Sequence, residues 1–430
     1  MKTKLIIFGI TGDLSTRKLL PALTRIIDTG NFEDLTVIGV SRRDLDVPAL
    51  LQKSLGANNL ESRVRGFSMD MSTPDEYVRL KEFVDLQSDE QVIVYLSVPP
   101  SATAQIVEHL GGSGLNTPNV KLLLEKPFGI NLSSAREMID HVARYFDESQ
   151  VYRIDHYLAK EMSQNIVAFR RGNALFDRVW NNQAIEKIEI VALENIGIEG
   201  RAEFYEQTGA LRDIVQGHLM QLLALTLMDT PEAMDWNDVP ALRFEALDQV
   251  AVADPDKAVR GQYNTYKDEV GNPESFVETF MSLELESESA KWQGVPLMLT
   301  TGKSLSEKET EVRVHFRKSH AAQTNCLTFK IQPHDGVEIE LIIKKPGYEH
   351  EFETKKLSFE YPEDAMLPDA YEQVIVDAIR SRKSLFASSE EVIRAWEILQ
   401  PVQEKWQENG DGMHYYAAGS TAQEVIDSAS

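Results

Sequence analysis

A glycine turn that follows a short apolar run constrains this fold more than any other feature. Residues 4–8 form that run, Gly9 and Gly12 break it, and leucines then recur at helical spacing. The order indicates a strand, a tight turn and a helix. Further apolar runs, separated by helix-like sequence, occur at 35–40, 91–96 and 120–124. Strands that alternate with helices predict a doubly wound parallel sheet of the Rossmann type.

The pattern changes beyond about residue 180, where apolar and polar residues alternate. The alternating stretches are 188–192, 312–316, 327–331 and 337–343. Such strands have one wet face, and close together in sequence they favour a mainly antiparallel sheet. Helical patterns occupy 153–171, 205–228 and 369–406. We therefore expect a domain boundary between residues 150 and 180, in an α/β chain that continues as α+β.

Charge and cysteine content exclude several classes of function. The 430 residues carry 44 Lys and Arg against 68 Asp and Glu, a net charge of -24. That field repels phosphate backbones and anionic membranes, so neither nucleic acid nor a membrane is an expected partner. Cys326 is the single cysteine, which rules out an internal disulfide and a thiolate metal site and fits a reducing compartment. We expect a cytoplasmic protein without a bound metal.

The first turn and the end of the second strand indicate a dinucleotide site. Residues 9–14 (GITGDL) lie where backbone amides at a helix N-terminus hold a pyrophosphate. Leu14 replaces the third glycine of the usual fingerprint, so a plain strand-to-helix turn stays open as the alternative. Residues 41–43 (SRR) follow the second strand, where an NAD site has an acidic residue. Arg42 there favours the 2′-phosphate of NADP, although exposed arginine pairs are common.

Two further motifs carry candidate ligand-binding side chains. Lys126, in residues 125–129 (EKPFG), follows a predicted strand at the sheet edge that binds ligands; a solvated lysine is the alternative. Residues 153–161 read RIDHYLAKE. If they are helical, His156 and Lys160 lie on one face as donors for one phosphate, with Tyr157 able to add a hydroxyl. A surface helix of mixed charge is the alternative.

His218 falls on the apolar stripe of its predicted helix, near Leu211, Val215 and Leu222. Most histidines in that setting are satisfied core residues. A buried carboxylate partner would instead fix the imidazole tautomer and make it a general base. Periodicity alone cannot supply that partner.

Together these motifs resemble the glucose-6-phosphate dehydrogenase family, over nearly the whole chain and in order. Residues 153–161 are the most specific part of the resemblance. The other matching stretches are 9–14, 95–100, 125–129, Arg212 and Asp213 with His218, 294–296, Gly302 and Lys303, 331–333, 345–347 and 418–420. The resemblance implies a dinucleotide-binding domain over 1–152. It implies a β+α substrate-binding and dimerisation domain, with a large, mainly antiparallel sheet, over 153–430.

The resemblance also implies the reaction and the roles of individual residues. The reaction is oxidation of glucose 6-phosphate to 6-phospho-glucono-1,5-lactone, the first step of the oxidative pentose phosphate pathway, with NADP as hydride acceptor and NAD as the alternative coenzyme. His218 is implied as the general base and Asp155 as the acid that orients it. Substrate contacts are implied at Lys126, His156, Tyr157, Lys160, Glu194, Asp213, Lys303 and Gln332. Coenzyme contacts are implied at Gly9, Thr11, Gly12, Asp13, Leu14, Arg42, Pro99 and Lys126.

The chain departs from the family pattern in three respects. It is shorter, with the loss in the coenzyme domain, Gly217 stands where Asn is usual, and Lys308 stands where Arg is common. The expected partners are glucose 6-phosphate and further copies of the chain, as a homodimer or homotetramer. Two alternatives remain: a related Rossmann dehydrogenase of a different sugar, and a non-catalytic sensor of NADP or sugar phosphate. Retention of Asp155, His218 and Lys126 together argues against the sensor.

Overall fold

The computed structural model describes residues 2–56, 58–318, 324–362, 365, 367–408 and 410–429. Its first part is a seven-stranded sheet in the order β15-β6-β5-β4-β1-β2-β3. The strands are β1 Lys2–Phe8, β2 Leu35–Ser41, β3 Val64–Ser68, β4 Glu90–Leu96, β5 Val120–Leu124, β6 Val151–Ile154 and β15 Phe386–Ala387. All pairs are parallel except β15 with β6. The predicted doubly wound sheet is confirmed.

Helices cover both faces of this sheet. They are α1 Leu20–Asp28, α2 Val47–Leu55, α3 Pro74–Val84, α4 Pro100–Ser113, α5 Leu132–Ala143 and, from later in the chain, α12 Ala370–Ile379. Alternate residues of β1 point to opposite sides: Ile6 and Phe8 pack in one core, Leu5 and Ile7 in another that includes α1 and α12. Strands buried on both faces explain why the sequence shows continuous apolar runs here rather than alternation.

The second part is a nine-stranded sheet in the order β14-β13-β12-β11-β7-β10-β9-β8-β16. Its strands are β7 Ile185–Leu193, β8 Ala258–Tyr263, β9 Phe280–Leu285, β10 Leu297–Gly302, β11 Glu309–Phe316, β12 Cys326–Gln332, β13 Gly336–Lys344, β14 Phe352–Glu360 and β16 Met413–Tyr416. The pairs β7–β10 and β8–β16 are parallel and the other pairs antiparallel. The prediction of a large, mainly antiparallel sheet is confirmed.

One face of the second sheet packs against helices and extends the core of the first part. The helices of this part are α6 Glu161–Gly172, α7 Ala174–Asp177, α8 Ala202–Ala210, α9 Met220–Leu227, α10 Val239–Asp248, α11 Tyr266–Val270, α13 Ser389–Glu408 and α14 Ala422–Ala429. Ile190, Val312 and Phe329 point to that face and are fully buried with residues of the first sheet in one cluster. The site between the two sheets is therefore held by continuous packing.

Three segments differ from the helical patterns read in the sequence. The segment 369–406 divides into the helices α12 and α13, with strand β15 between them. The segment 153–171 begins as β6, turns over residues 155–160, and becomes α6 only at Glu161. The segment 205–228 is interrupted at Gly209, continues as a π-helix over Leu211–Leu219, and ends as α9. β6 also crosses the expected domain boundary between 152 and 153, so that boundary stays a prediction. Among the described residues, no helix is both long and apolar enough to cross a bilayer.

Candidate active site

Asp155 and His218 form a buried hydrogen-bonded pair between the two sheets. Asp155 follows the last residue of β6, and its Oδ1 lies 2.7 Å from His218 Nδ1. The same Oδ1 accepts the backbone N–H of Tyr157 at 2.9 Å, and the Asp155 carbonyl accepts that of Leu158. An Asp that bonds the backbone two residues on starts a turn rather than a helix. The expected helix over 153–160 is therefore wrong, because Asp155 is committed to this turn.

His218 is carried by the π-helix of residues Leu211–Leu219, in the middle of the core. π-helical turns are rare and occur mostly at functional sites. Its ring stacks on Tyr157, with centroids 4.2 Å apart and planes 13° apart, and meets His156 edge-on at 4.5 Å. The apolar stripe correctly predicted a buried His218. Asp155 is the carboxylate partner that the periodicity could not supply.

The start of the π-helix is fixed by Glu278, which sequence reasoning missed. The carbonyl of Glu278 accepts the N–H of Ala210 at 3.0 Å, and its carboxylate accepts that of Leu211 at 2.9 Å. Gly209 has φ +62°, and a Cβ there would overlap the Glu278 carboxylate. Burial raises the pKa of Glu278. The contact spans 67 residues of sequence, and no local pattern announces it.

The electrostatics of the pair fit a proton acceptor. Burial lowers the pKa of His218, and the neighbouring Asp155 carboxylate opposes that shift. Burial works against ionisation of Asp155, but the charge and hydrogen bond of His218 outweigh it and hold its pKa well below the usual range. His218 is thus neutral near pH 7, and with its Nδ1 proton donated to Asp155, Nε2 is the acceptor.

Lys126 reaches this acceptor nitrogen from the loop after β5. Its Nζ lies 3.2 Å from His218 Nε2 and donates to the Asp213 carbonyl at 2.8 Å. The peptide bond between Lys126 and Pro127 is cis. Burial lowers the pKa of Lys126, while the carboxylates of Asp155 and Asp213 favour its charged form. The solvated-lysine alternative does not describe this half-buried side chain, whose ammonium lies on protein acceptors.

His156 and Lys160 line one cavity of about 360 Å³, as the phosphate hypothesis requires. They meet because the turn over 155–160 delivers both to the start of α6, not because they share a helix face. Backbone amides at that helix start favour an anion. Lys18 also lines the cavity, together with Asp335 and Tyr371. The sequence analysis missed Lys18; its signal would have been a lysine four residues after the Gly9–Leu14 turn.

The remaining predicted sugar contacts converge from three strands of the second sheet. Lys303 at the end of β10 is buried and forms an ion pair with Glu194, just past β7. Gln332 at the end of β12 donates to Thr310 at 3.1 Å, and Tyr157 hydrogen-bonds the same Thr310. Burial raises the pKa of Tyr157, and the charges of Glu194, Asp155 and Asp213 act in the same direction. Tyr157 thus lies where these acidic side chains converge.

The group of Asp155, His156 and His218 also has the ligand types of a metal site, with one ligand atom from each lying within 4.8 Å of the others. Lys126 opposes a cation there, since its ammonium already lies on His218 Nε2. The expectation of no metal stays a prediction.

The glycine turn at the other side of the cleft has the backbone geometry of a nucleotide loop. Gly9 has φ +79°, and a Cβ there would overlap the Ser97 carbonyl oxygen. The Gly9 carbonyl accepts the N–H of Gly12 at 2.9 Å and the Ser15 hydroxyl at 3.0 Å. Only glycine permits this conformation and this close approach. The turn leads directly into the π-helix Ser15–Leu19 and then α1.

A cavity of about 680 Å³ lies beside this turn and is lined by Thr11, Arg42 and Arg43, with Ser41, Asp44 and Leu45. Both arginines are exposed. Of the other predicted coenzyme residues, Asp13 pairs with Arg17 at 3.4 Å on the surface. Leu14 packs against the core of the first sheet, and Pro99 is the residue before α4. The structure thus brings Thr11 and Arg42 together and leaves those three outside the cavity lining.

Comparison with known proteins agrees with this geometry. Residues 6–165 match the family model for the NAD binding domain of glucose-6-phosphate dehydrogenase, and residues 167–429 match the model for its C-terminal domain. The chain belongs to the glucose-6-phosphate dehydrogenase family. A relative named glucose-6-phosphate 1-dehydrogenase, from Borreliella burgdorferi, is 34% identical over 99% of this chain and 96% of its own length.

Solved glucose-6-phosphate dehydrogenases have the same fold. The structure of one in complex with its substrate glucose-6-phosphate superposes with a TM-score of 0.92 at 28% identity, over 100% of this chain and 97% of the other. Glucose-6-phosphate 1-dehydrogenase from Mycobacterium avium gives a TM-score of 0.88 at 31% identity, over 99% and 96% of the two chains. The fold expected from the resemblance is confirmed.

Proposed function

We propose that the chain oxidises glucose 6-phosphate at carbon 1 to 6-phospho-glucono-1,5-lactone, with NADP as the hydride acceptor. One observation carries the proposal: Asp155 Oδ1 and His218 Nδ1 lie 2.7 Å apart in the core, in a chain of this family. That pair can take up a proton on His218 Nε2 as the hydride leaves. A sensor of sugar phosphate would not need to keep a buried base oriented in this way.

His218 accepts the proton of the anomeric hydroxyl on Nε2. Asp155 holds the ring orientation through Nδ1 and stabilises the imidazolium as it forms. Lys126 must leave Nε2 for the hydroxyl to reach it, and its ammonium then lies beside the oxygen that loses the proton. Desolvation keeps His218 neutral until that moment, since burial lowers its pKa.

The phosphate of the substrate binds in the cavity lined by His156 and Lys160, at the start of α6. Lys160 supplies a charge and His156 a ring N–H. Tyr157 does not line this cavity and its hydroxyl bonds Thr310, so its contact with the phosphate stays a prediction. Glu194, Asp213, Lys303 and Gln332 are proposed to hold the sugar hydroxyls. Holding the phosphate at one end places carbon 1 in a single position relative to His218.

The residues beside the glycine turn fit NADP. Glycine at position 9 lets the turn pack closely against the Ser97 carbonyl, and amides at the following helix start favour a pyrophosphate. Arg42 and Thr11 line the adjoining cavity, and Arg42 is proposed to hold the 2′-phosphate. When bound, NADP accepts the hydride from carbon 1.

We also propose the division into a coenzyme domain, 1–152, and a substrate domain, 153–430, and assembly as a homodimer or homotetramer in the cytoplasm. The two sheets support the division. Exposed apolar residues support assembly: Leu341 and Ile343 of β13, and Leu357 and Phe359 of β14. In the register of this hairpin Val337 pairs with Phe359 and Ile339 with Leu357. The four exposed apolar side chains therefore lie on one face of the sheet. Sedimentation of the purified chain tests the stoichiometry.

The test of the proposed reaction is absorbance of reduced coenzyme after the protein is mixed with glucose 6-phosphate. NADP and NAD are compared, and unphosphorylated glucose is the control. Phosphate-dependent reduction of NADP is expected. Binding of the sugar phosphate without reduction of either coenzyme would contradict the proposal and favour a sensor.

A further inference from the structure

The π-helix that carries His218 has a gap in its side-chain surface at Gly217. This residue directly precedes His218 and is partly buried. A Cβ built on Gly217 would lie 2.5 Å from Lys126 Nζ, 2.9 Å from its Cε and 3.2 Å from its Cδ. Distances under about 3.0 Å do not occur for real Cβ atoms. The end of the Lys126 side chain therefore occupies the space that any other residue at 217 would fill.

The space beside Gly217 gives the Lys126 ammonium access to two hydrogen-bond acceptors. Through it Lys126 Nζ reaches the Asp213 carbonyl at 2.8 Å and His218 Nε2 at 3.2 Å. Both acceptors belong to the same π-helix as Gly217. The peptide backbone on both sides of Gly217 thus forms a slot, and the ammonium lies in it against the nitrogen that must later accept a proton.

We propose that Gly217 is a positioning residue, whose missing side chain makes the slot that places the Lys126 ammonium against His218 in the ligand-free protein. The inference rests on the proposed function, because it concerns how the proposed base is held before substrate arrives. Lys126 in the slot blocks Nε2, and substrate must draw it out. A side chain at 217 closes the slot and displaces Lys126 beforehand.

The substitution Gly217→Ala tests this without requiring the fold to change. Gly217 has no left-handed backbone conformation, and the atoms that an added Cβ would meet are the far end of a flexible lysine. The helix can therefore accept alanine while the lysine moves. Gly112→Ala is the matched control, since Gly112 lies in helix α4 and a Cβ there meets nothing within 4 Å.

The readout is the pKa of His218, measured by NMR on histidine-labelled, ligand-free protein and assigned with His218→Asn. The charged groups that face His218 are Asp155 from the turn after β6, Lys126 from the loop after β5 and Asp213 from its own helix. The rings of His156 and Tyr157 also face it. Of these, the Lys126 charge lowers the His218 pKa and the two carboxylates raise it. Moving the ammonium away therefore raises the pKa.

We expect Gly217→Ala to raise the His218 pKa by about 0.5 to 1 pH unit, and Gly112→Ala to leave it at the wild-type value. Lys126→Met should raise it too, and Gly217→Ala should add nothing in the Lys126→Met background. An unchanged pKa in Gly217→Ala, or a further shift in the double variant, would overturn the proposal. If Gly217→Ala does not fold, an unchanged His218 pKa in Lys126→Met would overturn it.

Kinetics separate this inference from the proposed function. If the wild type reduces NADP, Gly217→Ala should raise kcat/KM for glucose 6-phosphate by about tenfold through a lower KM, since the substrate no longer has to draw Lys126 out of the slot. Wild-type kcat/KM in Gly217→Ala would overturn the inference and leave the reaction intact. A wild type without activity would remove the reaction, while the NMR result still tests the slot.

Discussion

On the sugar side of the cleft the functional side chains hold one another, whereas on the coenzyme side they stand apart and exposed. Asp155 and His218 are buried, Lys126 is half-buried, and contacts of 2.7 and 3.2 Å link the three. Arg42 and Arg43 line an open cavity and are exposed. Buried charges must be partnered, while exposed guanidinium groups are satisfied by water. The sugar side is therefore preorganised, and the coenzyme side supplies charge that its ligand orders.

This difference predicts how each side responds to substitution. A change among the buried residues leaves its partners unsatisfied, so effects there are large and non-additive. A change of an exposed arginine removes one contact only. The four tests below run from the largest expected effect to the smallest, and the first two concern the sugar side.

His218→Asn should lower kcat by a factor on the order of hundreds or more, because it removes the proton acceptor. Binding of glucose 6-phosphate, measured by calorimetry, should stay nearly unchanged. The control is His141→Asn on α5, whose ring Nε2–H donates to the Ala104 carbonyl, 2.9 Å away. Near-normal turnover in His218→Asn would remove it from the mechanism.

Lys160→Ala should raise KM for glucose 6-phosphate by about 10- to 100-fold, since a phosphate loses one charge-assisted contact. The kcat at saturation should fall far less. Lys355→Ala, which removes a surface lysine paired with Glu353, is the control. An unchanged KM would sink the assignment of the cavity at the start of α6 to phosphate, and His156→Ala would then be the next variant.

Arg42→Ala should raise KM for NADP by about tenfold and leave KM for NAD unchanged, because NAD has no 2′-phosphate. Arg79→Ala is matched to it as an exposed arginine, paired with Glu76. Equal losses with both coenzymes would show that Arg42 acts on another part of the coenzyme. Such a result would also weaken the contrast between the two sides, since a single-contact role would no longer describe Arg42.

Assembly is expected to show the smallest kinetic effect. Phe359→Glu in β14 should shift sedimentation towards smaller species, because it places a charge on the exposed apolar face of the β13–β14 hairpin. The reaction centre lies elsewhere, so kcat should change by about twofold or less. Ser358→Glu, on the opposite face of the same strand, is the control. Identical sedimentation of wild type and both variants would contradict the proposed interface.

Burial also decided which parts of the structure could be predicted from the sequence. Strands such as β4 and β5 are fully buried, so composition alone identified them. β3 was missed because Arg65 and Gly66 interrupt its five residues. The segment 153–160 was predicted as a helix because its spacing is helical, while the single hydrogen bond from Tyr157 N–H to Asp155 decides for a turn.

In the site, too, residues with a local sequence signal were predicted and long-range pairings were not. His218 and Lys126 were found from local pattern and strand position, since burial and sheet edges leave local signals. Local patterns did not identify Asp155 and Glu278 as partners, because their contacts cross 63 and 67 residues of sequence. Only the family resemblance supplied Asp155 as the partner. Pairings between distant buried groups are the part of a site that periodicity cannot reach.

The most direct test of the Asp155–His218 pair is the pH dependence of kcat/KM for glucose 6-phosphate, which reports the free enzyme, measured in wild type and in Asp155→Asn. His218 must be neutral to accept a proton, so activity falls on the acid side. Because burial lowers the His218 pKa, the acid limb of the wild-type profile should have its midpoint below the ordinary histidine pKa of about 6.5.

In Asp155→Asn the carboxylate no longer raises the His218 pKa, so the limb should move to lower pH, while the plateau falls by about 10- to 100-fold as the ring loses its orientation. A plateau close to wild type, or a limb that stays in place or moves to higher pH, would contradict the account.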